Sequence, residues 1–196
     1  MQGSGRCGWQ DVDVDTLRTE RLLLRRIAED DLDPHMALLN TPAVMRHLGG
    51  VQPRSVIAAK HAAARASFGA EGFGFMMIEE RASGEMVGHC GLRRVAHARE
   101  PNPEDHEIGW LVREDRWRLG YAHEAMRAVV DWAFTAIGAA QIVALTCEAN
   151  VGSWRLMGKL GMARRPDLDF TDPAMPPEQN PTIQYALTRA QWEALR

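Results

Sequence analysis

The sequence of 196 residues lacks the features that mark several common protein classes. Its three cysteines, an odd number with no Cys-x-x-Cys pair, argue against a disulfide framework and against a zinc site. No apolar run approaches the roughly 20 residues that span a bilayer, and the N-terminus has no apolar signal-peptide core. We therefore expect a cytoplasmic protein with no membrane partner and no bound metal.

The sequence also lacks an excess of basic residues. Its 26 acidic residues outnumber 23 basic ones, and the net charge of −3 argues against a nucleic-acid partner. Neither the Gly-x-x-x-x-Gly-Lys-Ser/Thr phosphate loop nor the Gly-x-Gly-x-x-Gly dinucleotide turn occurs. The composition, with 45% apolar and 25% charged residues, is typical of a globular protein. We expect one domain over residues 16–193, preceded by a flexible lead-in at residues 1–15.

The apolar pattern predicts a mixed α/β (α+β) sheet in which antiparallel hairpins come first and a β-α-β unit comes later. Strands are expected at residues 17–27, 73–80, 86–95, 106–113, 141–147, near 163 and at 183–187. Helices are expected at about residues 31–40, 55–71, 122–138 and 151–160. Loops are expected at 97–104 and 166–181, and the second loop either covers an acceptor site or is a surface excursion.

The most regular predicted element is the helix at 122–138, in which every core-facing position is apolar. The chain enters this helix through residues 118–123, Arg-Leu-Gly-Tyr-Ala-His. Unpaired amides at a helix N-terminus bind anions, and Gly120 lets those amides converge. Arg116 and Arg118 add positive charge. The segment suits a phosphate or pyrophosphate, although an isolated Gly-x-Ala is more often an ordinary helix start.

Several segments in register resemble the GNAT acetyltransferases. Residues 106–127, from His-Glu-Ile-Gly-Trp to Gly-Tyr-Ala-x-Glu-Ala, resemble the acetyl-CoA signature of that family. The opening at 17–25, Leu-Arg-Thr-Glu-Arg-Leu-Leu-Leu-Arg, is similar to a family segment, as are Asn-Val-Gly-Ser at 150–153 and Lys-Leu-Gly-Met at 159–162. These details resemble the ribosomal-protein N-terminal acetyltransferase branch, the RimJ/RimL type. The resemblance extends over about residues 16–193.

The resemblance implies a GNAT-type twisted, mostly antiparallel sheet flanked by helices, in which two central strands splay apart. It places the pantetheine arm of acetyl-CoA in this gap, beside the backbone of Trp110, Leu111 and Val112. Gly109 fits this place independently, because a glycine inside a strand marks a bulge or a close backbone approach. The residues expected to hold the pyrophosphate are Arg118, Leu119, Gly120, Tyr121, Ala122 and His123.

The resemblance also assigns Asn150 and Ser153 to the coenzyme arm. Asparagine is a common helix N-cap, so capping of the predicted helix at 151–160 is an alternative role for Asn150, and the two roles are compatible. Ser153 has the alternative of a helix-start hydroxyl without a catalytic role.

Acetyl transfer from a thioester requires a neutral amine, a polarised carbonyl and a stabilised thiolate. Glu107 is the first candidate for the base that takes the amine proton through one water, with a surface or ion-paired Glu as the alternative. His106 is a weaker candidate, because alternation along the strand turns its side chain to the opposite face. A backbone N–H near Leu111 is expected to polarise the carbonyl.

Two positions depart from the acid and base known in other family members. Met157 stands where some members have a tyrosine, and Leu145 stands where some have a glutamate. Ser153 is then the candidate that stabilises the departing thiolate, and Tyr185 is a more distant one. Catalysis by positioning alone is a further alternative.

Three functions are compatible with these residues. The leading hypothesis is an acetyl-CoA-dependent N-acetyltransferase, monomeric or homodimeric, that acts on a small amine or on the N-terminal amine of a peptide. The second is a non-catalytic sensor module for coenzyme A or another acyl-CoA. The third is a different phosphate ligand, such as a nucleotide, at the same helix end.

Overall fold

The structure is a computed structural model that describes residues 16–95, 105–173 and 175–196. The lead-in at 1–15 and the loop at 97–104 lie outside the described residues. The strands are β1 (Thr16–Arg18), β2 (Leu22–Arg26), β3 (Phe75–Glu80), β4 (Met86–Arg94), β5 (His106–Val112), β6 (Gln141–Cys147), β7 (Ala163–Arg164) and β8 (Thr182–Thr188). The helices are α1 (Leu32–Leu38), α2 (Arg54–Glu71), α3 (Tyr121–Thr135), α4 (Val151–Lys159) and α5 (Arg189–Ala194).

The eight strands form one sheet in the order β1-β2-β3-β4-β5-β6-β8-β7. Every neighbouring pair is antiparallel except β5 and β6, which are parallel and are joined through α3. This pair diverges almost at once, because its ladder contains only His106 opposite Ile142 and Glu107 opposite Val143. The predicted mixed sheet with splayed central strands is therefore confirmed. We call the gap between β5 and β6 beyond these pairs the splay.

Helix α3 covers one face of the sheet and carries the main core. Its apolar stripe follows the predicted periodicity, and Met126, Val129 and Phe134 are fully buried within it. The side chains of Ile108 and Val112 on β5 belong to the same core cluster. The amphipathic pattern thus fixes α3 directly behind the strand that borders the splay. We call this side of the sheet the α3 face.

The opposite side of the sheet, which we call the α1 face, has a smaller core beneath α1 and α2. Leu39, Met77 and Phe75 pack there. A Cβ atom built on Gly109 would lie 3.1 Å from Cζ of Phe75, so the odd-numbered side-chain positions of β5 point to this face. Among the described residues, no helix is both long and apolar enough to cross a membrane.

Three element predictions differ from the structure. The expected strand at 17–27 is two strands, because the chain turns at Thr19, whose backbone N–H bonds Leu22 O at 2.9 Å. The helix expected to begin at Ser55 begins at Arg54, directly after Pro53. Helix α5 was not anticipated, and it is short and begins with a capping box formed by Thr188 and Gln191.

The proline-rich loop at 166–181 is held against the segment between α1 and α2. The side-chain amide of Gln179 accepts from Gly49 N at 3.2 Å and donates to Arg46 O at 2.9 Å. The loop therefore packs on the α1 face near the splay instead of extending freely into solvent.

Candidate active site

The splay presents a free backbone edge on β5. Alternate residues of an antiparallel strand bond the same neighbour, and Arg113 N donates to Val87 O at 2.9 Å just past the end of β5. By this alternation Leu111 bonds β4, whereas Trp110 and Val112 direct their N–H groups into the splay. Two of the three residues assigned to the arm therefore present amides to it.

Leu111 contributes differently from the expectation. Its carbonyl oxygen approaches β4 so closely that a Cβ on Gly88 would lie 2.1 Å from it. Because its peptide groups face β4, its amide is turned away from the splay, and the amides that face the splay are those of Trp110 and Val112. The Leu111 side chain points to the α1 face.

Strand β6 provides the second edge of the splay, which sequence reasoning missed. Arg189 N donates to Ala140 O at 2.9 Å, so even-numbered residues of β6 bond β8 and odd-numbered residues face the splay. Leu145 therefore presents both its N–H and its C=O there. The sequence singles out Leu145 only by its side chain, whereas its backbone position follows from the β6–β8 register, which a single sequence does not reveal.

The turn after β5 brings the chain to α3. Trp117 Nε1 donates to Val112 O at 2.7 Å and closes this turn. Arg118 has a φ of 63° and Gly120 a φ of 86°, so two left-handed residues shape the loop. Within the described residues, the backbone amides of Tyr121, Ala122 and His123 have no acceptor, and the helical bonds begin with Glu124 N to Gly120 O at 3.0 Å. Three converging free amides suit one anionic group.

The side chain of Tyr121 is turned away from this anion site. It is buried, its hydroxyl donates to Glu80 Oε1, and the guanidinium of Arg21 lies 4.5 Å from its ring centre. The hydrogen bond to Glu80 raises the pKa of Tyr121, followed by the effect of burial. Tyr121 can therefore contribute only its backbone amide to a ligand.

Arg21, in the turn between β1 and β2, braces the loop from behind. Its Nη1 donates to Leu119 O at 2.9 Å and its Nε to Glu124 Oε2 at 2.6 Å. Thr19 Oγ1 donates to the same carboxylate at 2.5 Å. Burial alone would raise the pKa of Glu124, but the hydrogen bonds from Thr19 and Arg21 outweigh it and hold this pKa below its usual value. The brace explains why residues 17–25 and 118–125 form part of one pattern.

Replacing Arg21 with alanine is expected to weaken acetyl-CoA binding about fivefold, because one charge-assisted hydrogen bond stops orienting the Leu119 peptide. Titration calorimetry measures the change. Arg18→Ala, at an exposed position on β1, is the control and should leave the dissociation constant unchanged. Equal affinity of the Arg21 variant and the wild type would refute the brace.

Positive charge surrounds the free amides. Arg118 is exposed and has no ion-pair partner among the described residues, whereas Arg116 is paired with Glu85 at 2.5 Å. Burial lowers the pKa of His123, and the nearby charges of Arg127 and Lys159 lower it further. Arg127 and Lys159 were not predicted as site residues. Arg127 lies one helical turn after His123, so helix periodicity places it on the same side of α3. The position of Lys159 depends on how α4 packs against α3, which the sequence does not show.

Asn150 and Ser153 lie at the start of α4 with free side chains. Asn150 is the N-cap residue, but its side chain makes no cap bond, and the backbone bond is Ser153 N to Asn150 O at 3.0 Å. Neither side chain has a hydrogen-bond partner among the described residues. The Asn150 side chain therefore does not cap α4, and the side chains of Asn150 and Ser153 are both available to a ligand.

Glu107 lies where β5 and β6 are still paired. Its carboxylate accepts from Arg93 Nη2 at 2.7 Å and Nε at 2.9 Å, and only 12% of its side chain is exposed. By strand alternation it points to the α1 face, while His106 points to the other face, 5.0 Å between ring centres from Phe73. Burial lowers the pKa of His106, and Arg94 lowers it further. Both bonds from Arg93 end on Oε2 of Glu107, and Oε1 has no hydrogen-bond partner among the described residues, so Oε1 is the oxygen open to a water.

One of the two departures at the acid and base positions, Met157, has a structural role. Met157 is 1% exposed and lies in the main core with α3. Tyr185 on β8 packs against the same core, with Arg164 over its ring at 5.8 Å. Of the side chains considered for the thiolate, Ser153 alone has a free hydroxyl at the start of α4.

A histidine cluster lies beneath α1 and α2 and was not anticipated. His61 Nε2 and His35 Nδ1 are 2.9 Å apart, and the ring of His89 on β4 lies 5.2 Å from that of His35. Burial lowers the pKa of His35 to about 4, with smaller contributions from His61 and Lys60, so the ring is neutral at pH 7. Across the described ranges, no group of three or more His, Cys, Asp or Glu side chains is arranged for a metal ion.

Comparisons with known proteins find a family model and solved structures that share this fold. A family model described as an acetyltransferase (GNAT) domain matches residues 21–163. The chain is 31% identical over 152 residues to the uncharacterized N-acetyltransferase YoaA of Bacillus subtilis, and the alignment covers 76% of this chain and 82% of YoaA. It is similar to a solved acetyltransferase from Agrobacterium tumefaciens, with a TM-score of 0.73, 26% identity and coverage of 92% and 99%. The fold is also similar to that of aminoglycoside acetyltransferase AAC(6')-Ib, solved in complex with coenzyme A, with a TM-score of 0.70, 18% identity and coverage of 88% and 98%.

Proposed function

Because the chain belongs to the GNAT acetyltransferase family and is therefore an acyltransferase, we propose that it transfers the acetyl group of acetyl-CoA to a primary amine. The observation that carries this proposal is the continuity of two features. Free backbone edges line the splay, and β5 leads directly from it to three free amides at the start of α3. An extended arm that ends in a pyrophosphate fits both.

The residues present suit each part of acetyl-CoA. The amides of Tyr121, Ala122 and His123, with the charge of Arg118, suit the pyrophosphate. The amide-containing arm fits between the edges of Trp110 and Val112 on β5 and of Leu145 on β6, where it completes hydrogen bonds that the splay leaves open. Leu119 and Gly120 shape the loop. The side chains of Asn150 and Ser153 reach toward the arm from α4.

The reaction we propose is direct attack in a ternary complex. The neutral amine nitrogen bonds the acetyl carbon, the carbon–sulfur bond breaks, and its electron pair leaves with the coenzyme A thiolate. The amide of Trp110 or Val112 stabilises the negative charge that develops on the carbonyl oxygen. Glu107 takes the amine proton through a water, and Ser153 stabilises the thiolate, since Met157 has no proton to give.

We further propose that the chain is of the RimJ/RimL type and acts in the cytoplasm as a monomer or homodimer, through a single domain at 16–193. The acceptor is a protein N-terminal amine or a small amine. Neither the fold nor the family determines which of these it is.

Two measurements test the proposal. Titration calorimetry with acetyl-CoA should show binding, and an absence of binding would overturn the proposal. Thiol release should then be followed over a panel that contains an N-terminal-serine peptide, spermidine and an aminoglycoside. Turnover of at least one amine supports the enzyme, whereas tight binding with no turnover would favour an acyl-CoA sensor.

Glu107→Gln is expected to lower the rate of acetyl transfer about tenfold and to leave acetyl-CoA affinity unchanged, because a base that works through water contributes less than a direct one. The measurement is the rate as a function of pH, together with calorimetry. Glu71→Gln is the control, since Glu71 is also paired with an arginine, Arg94, at 2.9 Å. An unaltered pH–rate profile in the Glu107 variant would remove Glu107 as the base.

A further inference from the structure

One buried polar group near the splay has no partner. Gln184 on β8 is 1% exposed, and its Oε1 makes no hydrogen bond in the described structure. Its backbone is fully used, since its N–H reaches Asp169 Oδ1 at 3.4 Å and its carbonyl accepts from Arg165 N at 2.8 Å. A buried carbonyl oxygen without a donor is rare in folded proteins and calls for a donor from elsewhere.

Gln184 is placed next to the splay. It stands opposite Leu145 in the β6–β8 ladder, and Leu145 is the residue whose peptide groups form the β6 edge of the splay. Paired residues of neighbouring strands point to the same face. Ala186, two residues along β8, packs with Val143 in a cluster separate from the main core, so Gln184 and Leu145 point to the α1 face.

We place the approach of the amine to the splay on the α1 face. The α3 face is filled by α3 and α4, whose buried side chains form the main core. On the α1 face, Cys147 stands two residues along β6 from Leu145, and its Sγ lies 3.9 Å from His47 Nδ1 in the segment between α1 and α2. The His47 ring is uncharged at pH 7, because burial lowers its pKa, with a smaller effect from Arg46.

We infer that Gln184 binds the acceptor amine, with Oε1 accepting a hydrogen bond from the amine N–H. This inference rests on the proposed acetyl transfer. A neutral primary amine has two N–H groups and one lone pair. A hydrogen bond from one N–H to Oε1 holds the nitrogen beside the splay and leaves the lone pair for the acetyl carbon. The acceptor class is thus an uncharged amine with an N–H to donate, bound by a neutral carbonyl and not by an ion pair.

The test replaces Gln184 with methionine and measures both the KM of the acceptor amine and the melting temperature. Methionine has a similar length but no oxygen or N–H. We expect the KM of the fastest amine in the panel above to rise about fivefold, in line with the loss of one neutral hydrogen bond, and the acetyl-CoA dissociation constant to stay within about twofold. We expect the melting temperature to stay the same or rise, because the free protein loses a buried group that has no partner.

A purely structural role gives the opposite result. Gln179→Met provides the comparison, because the buried amide of Gln179 has partners on Gly49 and Arg46, and its loss should lower the melting temperature. A similar drop for Gln184→Met, or an unchanged acceptor KM, would overturn the assignment. Gln184→Leu repeats both measurements with a differently shaped apolar side chain. A wild type that does not bind acetyl-CoA would instead refute the proposed function itself.

Discussion

Replacing Gly120 with valine is expected to reduce acetyl-CoA affinity about 100-fold, the loss of roughly two charge-assisted hydrogen bonds. Gly120 has a φ of 86°, which β-branched residues strongly resist. A Cβ there would lie 3.2 Å from Nη2 of Arg21, so a larger side chain also displaces the brace. The amides of Tyr121 and Ala122 then lose their common direction. Titration calorimetry with acetyl-CoA and with coenzyme A measures the change.

Gly72→Val separates this effect from backbone strain. Gly72 ends α2 with a φ of 75°, and a Cβ there would meet no atom within 4 Å. Both variants should lose similar stability from the left-handed valine, but only the Gly120 variant should lose affinity. If both variants bind acetyl-CoA like the wild type, the loop at 118–123 is not the pyrophosphate site.

Periodicity and resemblance were sufficient for the fold. The apolar stripe at 122–138 predicts a helix with one buried face, as α3 has. The apolar run at 141–147 predicts a strand with the bounds of β6. The break between β1 and β2 was missed because the turn at 19–21, Thr-Glu-Arg, contains no glycine or proline. Arg21 lies in this turn, and its side chain bonds Leu119 and Glu124, which are about 100 residues away in the sequence.

The sequence predicts those groups of the candidate site that lie close together along the chain. A glycine before an amphipathic helix indicates free amides, and those of Tyr121, Ala122 and His123 have no acceptor in the part of the chain that the structure describes. Groups that depend on register could not be predicted. Which peptide groups of β5 face the splay depends on their pairing with β4, so the sequence could not distinguish Leu111 from Trp110.

Charge partners also depend on register. The sequence leaves an ion-paired Glu107 as an alternative, and the pair with Arg93 arises from the β4–β5 register. Gln184 carries no sequence signal at all. Its significance comes from burial without a partner, which only a three-dimensional structure reveals.

Gly88→Ala is expected to destabilise the protein by about 3 kcal/mol, at the upper end for an overpacked site. The new Cβ would lie 2.1 Å from Leu111 O and 3.0 Å from the Cα of Val112, both in the backbone of β5. A backbone atom cannot yield as a flexible side chain can, so β5 must move away from β4. We expect a melting temperature lower by about 6 to 12 °C, measured by circular dichroism.

Gly69→Ala is the matched control, because it adds the same methyl group inside α2, where a Cβ would meet nothing within 4 Å. It should stabilise the protein by up to about 1 kcal/mol, since alanine favours helix. The displaced strand in the Gly88 variant is the one that presents Trp110 and Val112 to the splay. Residual folded protein should therefore also bind acetyl-CoA more weakly, and an equal melting temperature for both alanine variants would show that β4 and β5 are not held at this distance by Gly88.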